Sequence, residues 1–267
     1  MSLAFALDES TAPALNAPVQ AAVEIRVRAL AAGYRTRGPV FSDIGFDIAR
    51  GERVALVGSN GAGKSTLLKT LMGFVAPLDG SVEIFGEEIN AMTPSKLRGF
   101  RSKIGFVAQK HNLVSRLSVL SNVIHGTLGA RSGPSRWVQA LAPQQVRARA
   151  LAALDQVGLV DLALRRADCL SGGQSQRVAI ARALVNEPRL ILADEPVASL
   201  DPAAGEDVMQ VFEEVTRAAG ATLVFTTHNL DHATRYAGRV LGLCSGGMKI
   251  DSAVDKLPEG GLRGLYS

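Results

Sequence analysis

The chain contains little cysteine. Its 267 residues include two cysteines, Cys169 and Cys244, and these do not have the spacing of a metal site. This argues against a cysteine-ligated metal centre. We expect two small, reduced thiols, buried or half-buried, in a protein of a reducing cytosol.

Long apolar runs and an N-terminal basic segment are also missing. No apolar stretch reaches the roughly 18 residues of a membrane-spanning helix. Residues 1–20 contain no lysine or arginine but do contain Asp8 and Glu9. This excludes an ordinary secretory signal and a mitochondrial presequence. We therefore expect a cytoplasmic chain, linked to a membrane only through a partner.

The chain also lacks a block of basic residues. Its net charge is +4, and the lysines and arginines are scattered along the sequence. Nucleic-acid-binding proteins instead cluster these residues on one face or along one helix. We predict no nucleic-acid partner, although contact of some arginines with a membrane surface or an acidic partner stays open.

What is present is typical of a folded domain. Hydrophobic residues make up 47% of the chain and charged residues 20%. The length is sufficient for one sizeable domain with an inserted lobe. Residues 1–20 are rich in alanine and proline, which predicts a disordered tail. We place the folded domain at residues 21–255 and a short tail at residues 256–267.

Two kinds of strand pattern indicate an α/β fold with a mixed sheet. Apolar and polar residues alternate near residues 23–28, 44–48 and 81–85, which predicts half-buried antiparallel strands. Short continuous apolar runs predict buried parallel strands instead. These runs cover residues 54–57, 104–108, 190–193 and 223–226.

The strand signal disappears between Gln109 and Ser171. Helical periodicity is found at residues 147–157 and again at residues 174–186, and a loop is predicted at residues 130–143. The expected architecture is a mixed-sheet core with an antiparallel β subdomain and a helical subdomain inserted at about residues 110–170.

A glycine-rich loop predicts a phosphate-binding site. Residues 58–66 fit the pattern GxxxxGK[ST] between an expected strand and a helix that ends at Gly73. This setting aims backbone N–H groups and the positive end of the helix at one point, which disfavours a chance match. The predicted nucleotide-binding residues are Gly58, Ser59, Asn60, Gly61, Ala62, Gly63, Lys64, Ser65 and Thr66.

Charged and hydroxyl side chains extend this prediction to a nucleoside triphosphate with Mg²⁺. Lys64 is expected to neutralise the β- and γ-phosphates, and the Ser65 hydroxyl to reach the metal ion. Asp194 and Glu195 follow an apolar strand. Such acids are common at strand ends, but beside a phosphate loop Asp194 is expected to hold Mg²⁺ and Glu195 to polarise the attacking water.

A second anion site is predicted at residues 170–174, which read LSGGQ. Ser171 is a good N-cap, and the glycines Gly172 and Gly173 expose N–H groups at the positive end of a helix. The alternative, an ordinary helix start, does not account for so specific a string. Gln174 belongs to the same predicted binding element.

The order of these motifs resembles that of the nucleotide-binding subunits of ABC transporters over about residues 23–252. The resemblance implies a P-loop ATPase core, ATP and Mg²⁺ as cofactors, and a head-to-tail dimer with two ATP molecules between the subunits. Residues 171–173 would then contact the γ-phosphate bound by the opposite subunit.

The resemblance also implies single-residue roles. Tyr34 would stack on adenine, although a turn tyrosine is the alternative. Gln109 would sense Mg²⁺ and the γ-phosphate, Asp201 would belong to the D-loop, and His228 would be the switch histidine. The implied catalytic set is Lys64, Gln109, Glu195 and His228, and the implied metal set is Ser65, Gln109 and Asp194. The remaining histidines, His111, His125 and His232, match no site.

A finer resemblance is to the ATPase subunits of phosphonate importers. It lies in residues 111–123, 126–129, 194–201 and 228–236. It implies uptake of phosphonate, or a related phosphorus oxyanion, through a separate permease supplied by a solute-binding protein. The ATPase would lie at the cytoplasmic face of the membrane as a peripheral subunit.

Three other functions stay open at this point. The cargo could be phosphate, amino acids or a lipoprotein released from the membrane. A soluble ABC protein of translation or DNA repair is disfavoured by the single module and the absence of a long coiled-coil insertion. A regulatory nucleotide switch is disfavoured by the pair Asp194 and Glu195 and by His228, which favour real hydrolysis.

Overall fold

The computed structural model describes residues 22–34, 38–129, 141–257 and 262. The predicted tail at residues 1–20 and most of the predicted loop at residues 130–143 lie outside the described residues. So does most of the predicted C-terminal tail, but Leu262 is described and is buried against the larger hydrophobic core.

The described residues form two sheets and surrounding helices. In chain order the strands are β1 (Val23–Tyr34), β2 (Gly38–Ala49), β3 (Arg53–Val57), β4 (Pro77–Ile84), β5 (Glu87–Glu88), β6 (Ile104–Val107), β7 (Leu190–Ala193), β8 (Thr222–Thr226), β9 (Arg239–Cys244) and β10 (Gly247–Ala253). The α-helices are α1 (Lys64–Leu71), α2 (Pro94–Arg101), α3 (Val119–His125), α4 (Gln144–Gln156), α5 (Gly172–Leu184), α6 (Pro202–Ala218) and α7 (Leu230–Tyr236).

The predicted division into antiparallel and parallel strands is confirmed. One sheet has the order β2-β1-β4-β5, and its neighbouring strands are antiparallel. The other has the order β10-β9-β3-β8-β7-β6, and every pair from β9 to β6 is parallel. The hairpin strand β10 is antiparallel, so this sheet is mixed, as expected.

The mixed sheet lies between two hydrophobic cores because successive side chains of a strand point to opposite faces. In β3, Val54 and Leu56 pack with α1 and the antiparallel sheet. Ala55 and Val57 pack in the other core, which includes residues of α3 to α7. Burial on both faces explains why these strands are continuous apolar runs without alternation.

The segment between Gln109 and Ser171 is helical where it is described. It contains α3, α4 and short 3₁₀ turns, and α4 begins three residues before the predicted helix at 147–157. The side chains of Val123, Leu154 and Val178 are fully buried where α3, α4 and α5 pack together. These helices form a helical subdomain beside the sheet.

Sequence patterns did not reveal β9 and β10. β9 pairs in parallel with β3, and β10 returns through a tight hairpin. Ser245 (φ 50°) and Gly246 (φ 76°) both have positive φ, as a two-residue type I′ turn requires. The Ser-Gly dipeptide was the available signal, but Gly242 within β9 weakens its strand pattern.

The expectation for the cysteines is wrong at one position. Cys244 is half-buried, as expected, but Cys169 is exposed. Cys169 ends the 3₁₀ turn Ala167–Cys169, where its sulfur faces the Asp168 carboxylate at 3.5 Å instead of the core. Both thiols are free.

None of the helices in the described ranges has the length and apolar character needed to cross a bilayer.

Truncation of Phe212 can be used to measure how much the larger core contributes to stability. Phe212 is 1% exposed and packs from α6 into the core beneath the mixed sheet. We predict that Phe212→Ala lowers the free energy of unfolding by about 3–5 kcal/mol, because the truncation leaves a cavity. Denaturant titration measures this loss. Leu164→Ala, at a side chain that is 76% exposed, is the control and should change little. Equal effects of both substitutions would contradict the core assignment.

Candidate functional site

The parallel strands place the candidate residues at one edge of the sheet. β3 ends before the phosphate loop, β6 before Gln109, β7 before Asp194 and Glu195, and β8 shortly before His228. The registers pair Val107 with Ala193 and Ala193 with Phe225, so the strand ends are level. Ligands bind outside the carboxyl ends of strands in such sheets.

Glycines shape the loop between β3 and α1. Gly58, Gly61 and Gly63 have φ values of 150°, 85° and 102°, which L side chains rarely adopt. A Cβ on Gly58 would lie 2.2 Å from the carbonyl oxygen of Leu243, and one on Gly63 would lie 2.9 Å from carbons of Val40 and Phe41. The backbone therefore favours glycine at all three positions, and close neighbours crowd out a side chain at Gly58 and Gly63.

The start of α1 presents positive charge to this loop. The N-cap residue Gly63 has no side chain with which to satisfy the first N–H groups of the helix, so these groups remain for an anion. The Lys64 side chain is 5% exposed, and its ammonium donates to the carbonyl oxygens of Gly58 (2.8 Å) and Ser59 (3.2 Å). Its third donor remains for a ligand.

Burial makes this ammonium receptive to an anion. Desolvation lowers the pKa of Lys64, and the nearby carboxylates of Glu195 and Asp194 oppose that shift only in part. The distance from Lys64 Nζ to Glu195 Oε1 is 3.9 Å. A phosphate group would supply the additional negative charge that stabilises the buried cation.

Hydrogen bonds hold Asp194 between the loop and β8. The Ser65 hydroxyl and the Thr226 hydroxyl each donate to Asp194 Oδ1 at 2.9 Å. The Asp194 N–H donates to the carbonyl oxygen of Val107 at 2.8 Å. The carboxylate is thus fixed from α1 and β8, and the backbone of the same residue from β6.

Glu195 is the meeting point of the predicted catalytic residues. Its Oε2 accepts a hydrogen bond from Gln109 Nε2 at 3.2 Å and lies 3.8 Å from His228 Nδ1. Its Oε1 faces Lys64, and its side chain is 17% exposed. A half-buried carboxylate with these neighbours can accept a proton from a water molecule beside the phosphate loop.

The donor chemistry of Ser65 and Asp194 fits Mg²⁺, which prefers hydroxyl and carboxylate oxygens. No group of three or more His, Cys, Asp or Glu side chains suited to a metal occurs in the described part of the chain. Substrate phosphates and water would have to complete the coordination, as is usual for Mg²⁺. Gln109 lies in the same opening, but its amide nitrogen is directed to Glu195.

One opening of about 480 Å³ joins the loop to these residues. Its lining consists of Val40, Asn60, Gly61, Gly63, Lys64, Ser65, Thr66, Gln109 and Glu195. Tyr34 is not part of this lining. It lies at the end of β1 with 41% of its surface exposed, so its predicted stacking on adenine stays a prediction.

The predicted second anion site is on a different surface. Ser171 caps α5 by accepting from the Gln174 N–H at 3.2 Å, and Gln174 Oε1 accepts from the Ser171 N–H at 3.0 Å. Ser171, Gly173 and Gln174 line a separate cleft that contains no residue of the phosphate loop. Asp201 caps α6 through a 3.0 Å hydrogen bond from the Ala204 N–H. Ser171, Gly173 and Gln174 therefore lie outside the opening at the phosphate loop, whereas Asp201 lines a cavity together with Glu195 and His228.

Comparison with known proteins decides the family. Residues 41–198, more than half of the chain, match the family model described as ABC transporter. The chain belongs to the ABC transporter family. The ABC resemblance and the P-loop fold expected from the sequence are therefore confirmed, and the protein is an ATPase of the ABC type.

Individual ABC proteins are similar over most of the chain. The phosphonates import ATP-binding protein PhnC 2 of Pseudomonas savastanoi pv. phaseolicola is 45% identical over 231 residues, which cover 84% of this chain and 82% of the relative. The phosphonates import ATP-binding protein PhnC of Stutzerimonas stutzeri is 42% identical over 249 residues, which cover 91% and 89%.

A solved structure shows the same ABC architecture. It is the dimeric, post-hydrolysis state of the ATP-binding cassette MJ0796 bound to ADP and Pi. It is 32% identical to this chain with a TM-score of 0.74, and the match covers 86% of this chain and 98% of that chain.

Thr226 is a residue of this ABC site that sequence patterns did not indicate. Its hydroxyl contacts both acids, because it donates to Asp194 and accepts from the Glu195 N–H at 2.7 Å. The strand at residues 223–226 was expected, but a threonine is an ordinary β-strand residue. The contact depends on the pairing of β7 with β8, which the sequence does not display.

Substitution of Glu195 tests directly whether the site hydrolyses ATP as predicted. We predict that Glu195→Gln keeps ATP affinity and lowers the rate constant of hydrolysis by about 10²–10⁴-fold, because the amide cannot accept the proton of the attacking water. Equilibrium ATP binding and steady-state phosphate release measure the two effects. Glu88→Gln, on an exposed residue of β5, is the matched control and should behave as wild type. A normal hydrolysis rate in Glu195→Gln would refute the role of Glu195.

Proposed function

We propose that this chain is the ATPase subunit that powers import of a phosphonate, or a related phosphorus oxyanion, through a separate permease. The assignment of the cargo rests on sequence similarity. Relatives that cover most of the chain at 45% and 42% identity are named phosphonates import ATP-binding proteins. A solute-binding protein would deliver the substrate to the permease.

The gathered side chains support the chemistry in this proposal. Lys64 and the N-terminus of α1 bind the β- and γ-phosphates, and Ser65 and Asp194 would hold Mg²⁺, which would supply positive charge to neutralise the phosphates. Glu195 accepts the proton of the attacking water, since its carboxylate lies beside Lys64, Gln109 and His228. Gln109 and His228 orient that carboxylate and the water.

The position of Ser171 supports a head-to-tail dimer. Ser171 and Gly172 are exposed at the start of α5, and the cleft beside them is separate from the phosphate loop. In the proposed dimer, each ATP lies between the loop of one subunit and residues 171–174 of the other. The similar cassette MJ0796 is dimeric with ADP and Pi bound.

Contacts after Gln109 support transmission of the nucleotide state to a membrane partner. Arg182 of α5 donates to the carbonyl oxygens of His111 (2.7 Å) and Asn112 (2.8 Å). His111 Nδ1 also lies 2.5 Å from Oε1 of Gln176. Because Gln109 bonds to Glu195, these contacts link the hydrolysis site to the helix that Ser171 caps. The permease would respond to changes in this segment at the cytoplasmic face of the membrane, where the subunit is bound peripherally.

The cargo is tested by growth. A knockout of the gene is expected to lose growth on a phosphonate as sole phosphorus source, in a parent without a second uptake route. Complementation by the wild type should restore growth, and complementation by Glu195→Gln should not, because import requires hydrolysis. Growth on inorganic phosphate is the control. Undiminished growth of the knockout on the phosphonate would contradict this cargo and leave an ABC ATPase of another substrate.

The dimer is tested in the slow-hydrolysing background. We predict that Glu195→Gln with ATP and Mg²⁺ doubles its mass in light scattering. Adding Ser171→Arg should keep it monomeric while ATP still binds, because the bulky side chain blocks only the face offered to the partner's nucleotide.

Two controls accompany the dimer test. Adding Lys64→Ala should abolish both ATP binding and dimer formation, and adding Glu88→Arg should affect neither. Normal dimer formation by the Ser171→Arg protein would contradict the head-to-tail arrangement.

A further inference from the structure

A buried hydroxyl connects the two acids of the ATPase site. Thr226 is the last residue of β8 and is 0% exposed. Its Oγ1 donates to Asp194 Oδ1 at 2.9 Å and accepts from the Glu195 N–H at 2.7 Å. A hydroxyl has one hydrogen to donate, so these two bonds use it in one defined orientation.

The bond to Glu195 acts on an unusual backbone conformation. Glu195 has φ of 46°, in the left-handed region that residues other than glycine rarely occupy. Such strain persists only where the surrounding structure holds the residue in place. The Thr226 hydroxyl bonds to the N–H of this residue, so it supports the conformation from which the Glu195 carboxylate reaches Gln109, His228 and Lys64.

The bond to Asp194 matters most when the metal is bound. In the structure, Asp194 Oδ1 accepts hydrogen bonds from the hydroxyls of both Ser65 and Thr226. Ser65 is expected to turn its oxygen to Mg²⁺, and it then orients Asp194 less firmly. Thr226 is buried and would keep its bond to Asp194 Oδ1.

We propose that Thr226 is a positioning residue for ATP hydrolysis, which holds Asp194 for the metal ion and Glu195 for the attacking water through one hydroxyl. The inference rests on the proposed hydrolysis chemistry of these two acids. It adds one more residue on which turnover depends, and this residue lies outside the phosphate loop and the acid pair.

The chain offers a matched control in the same strand. Thr222, at the start of β8, is also 0% exposed, and its Oγ1 accepts from the Gly51 N–H at 2.9 Å. Thr222→Val and Thr226→Val both replace a buried hydroxyl with a methyl group of similar size. Both leave one backbone N–H without its partner, and Thr226→Val also removes the donor to Asp194 Oδ1, so Thr222→Val controls for the loss of a buried N–H acceptor in this strand.

The experiment compares Thr226→Val, Thr226→Ser and Thr222→Val. We expect Thr226→Val to lower kcat by about 10–100-fold and to raise the Mg²⁺ concentration needed for half-maximal activity, as loss of a group that orients a metal ligand does. Nucleotide affinity without Mg²⁺ should not change, since Thr226 is absent from the loop. Thr226→Ser should restore kcat, and Thr222→Val should lower the melting temperature without lowering kcat.

Several outcomes would overturn the proposal. Wild-type kcat and Mg²⁺ dependence in Thr226→Val, or an equal loss of kcat in Thr222→Val, would leave only a structural role. If Thr226→Val does not fold, Thr226→Ala against Thr226→Ser makes the same comparison. Absence of ATP hydrolysis in the wild type would instead refute the proposed chemistry, so the two failures are distinguishable.

Discussion

The site depends on the parallel pairing of β3, β8, β7 and β6. Each strand contributes one chemical part just beyond its carboxyl end, and parallel register brings these ends to the same edge. The carboxylate of Glu195 is thereby surrounded by residues from three other, distant parts of the sequence, Lys64, Gln109 and His228. A shift in register would move these parts by a residue spacing of about 3.3 Å, which exceeds the tolerance of a hydrogen bond.

Burial then determines the electrostatics of the edge. Lys64 is nearly enclosed, and its pKa is lowered because desolvation outweighs the attraction of Glu195 and Asp194. The acids are fixed by hydrogen bonds rather than by tight ion pairs, since 3.9 Å separates Lys64 Nζ from Glu195 Oε1. The site can therefore accept the negative charge of a triphosphate, which would complete the charge pairing of Lys64 that the two acids provide only in part.

The LSGGQ element lies outside the opening at the phosphate loop. The LSGGQ element is a well-formed helix start with reciprocal capping bonds, so its exposure reflects a stable surface rather than a frayed end. Meanwhile α5 carries both this element and the contacts of Arg182 to residues 111 and 112. The same helix thus connects the surface proposed to face a second subunit with the segment that follows Gln109.

The sequence by itself determined the local features of this protein: the phosphate loop, the cap at Ser171, the acids after β7 and the division between parallel and antiparallel strands. Each is encoded in residues that are neighbours along the chain, through periodicity, glycine conformation or capping chemistry. The place of Glu195 among Lys64, Gln109 and His228 followed from family resemblance, and its distances needed the sheet register.

Only the tertiary structure decided the contacts of Thr226 with Asp194 and Glu195, the pairing of β9 with β3 and the close approach of Val40 and Phe41 to Gly63. These contacts join segments that are far apart in sequence, and no local pattern specifies which partner a strand or side chain will meet. Long-range pairing and packing decide that, because burial of both faces of the sheet selects a single register.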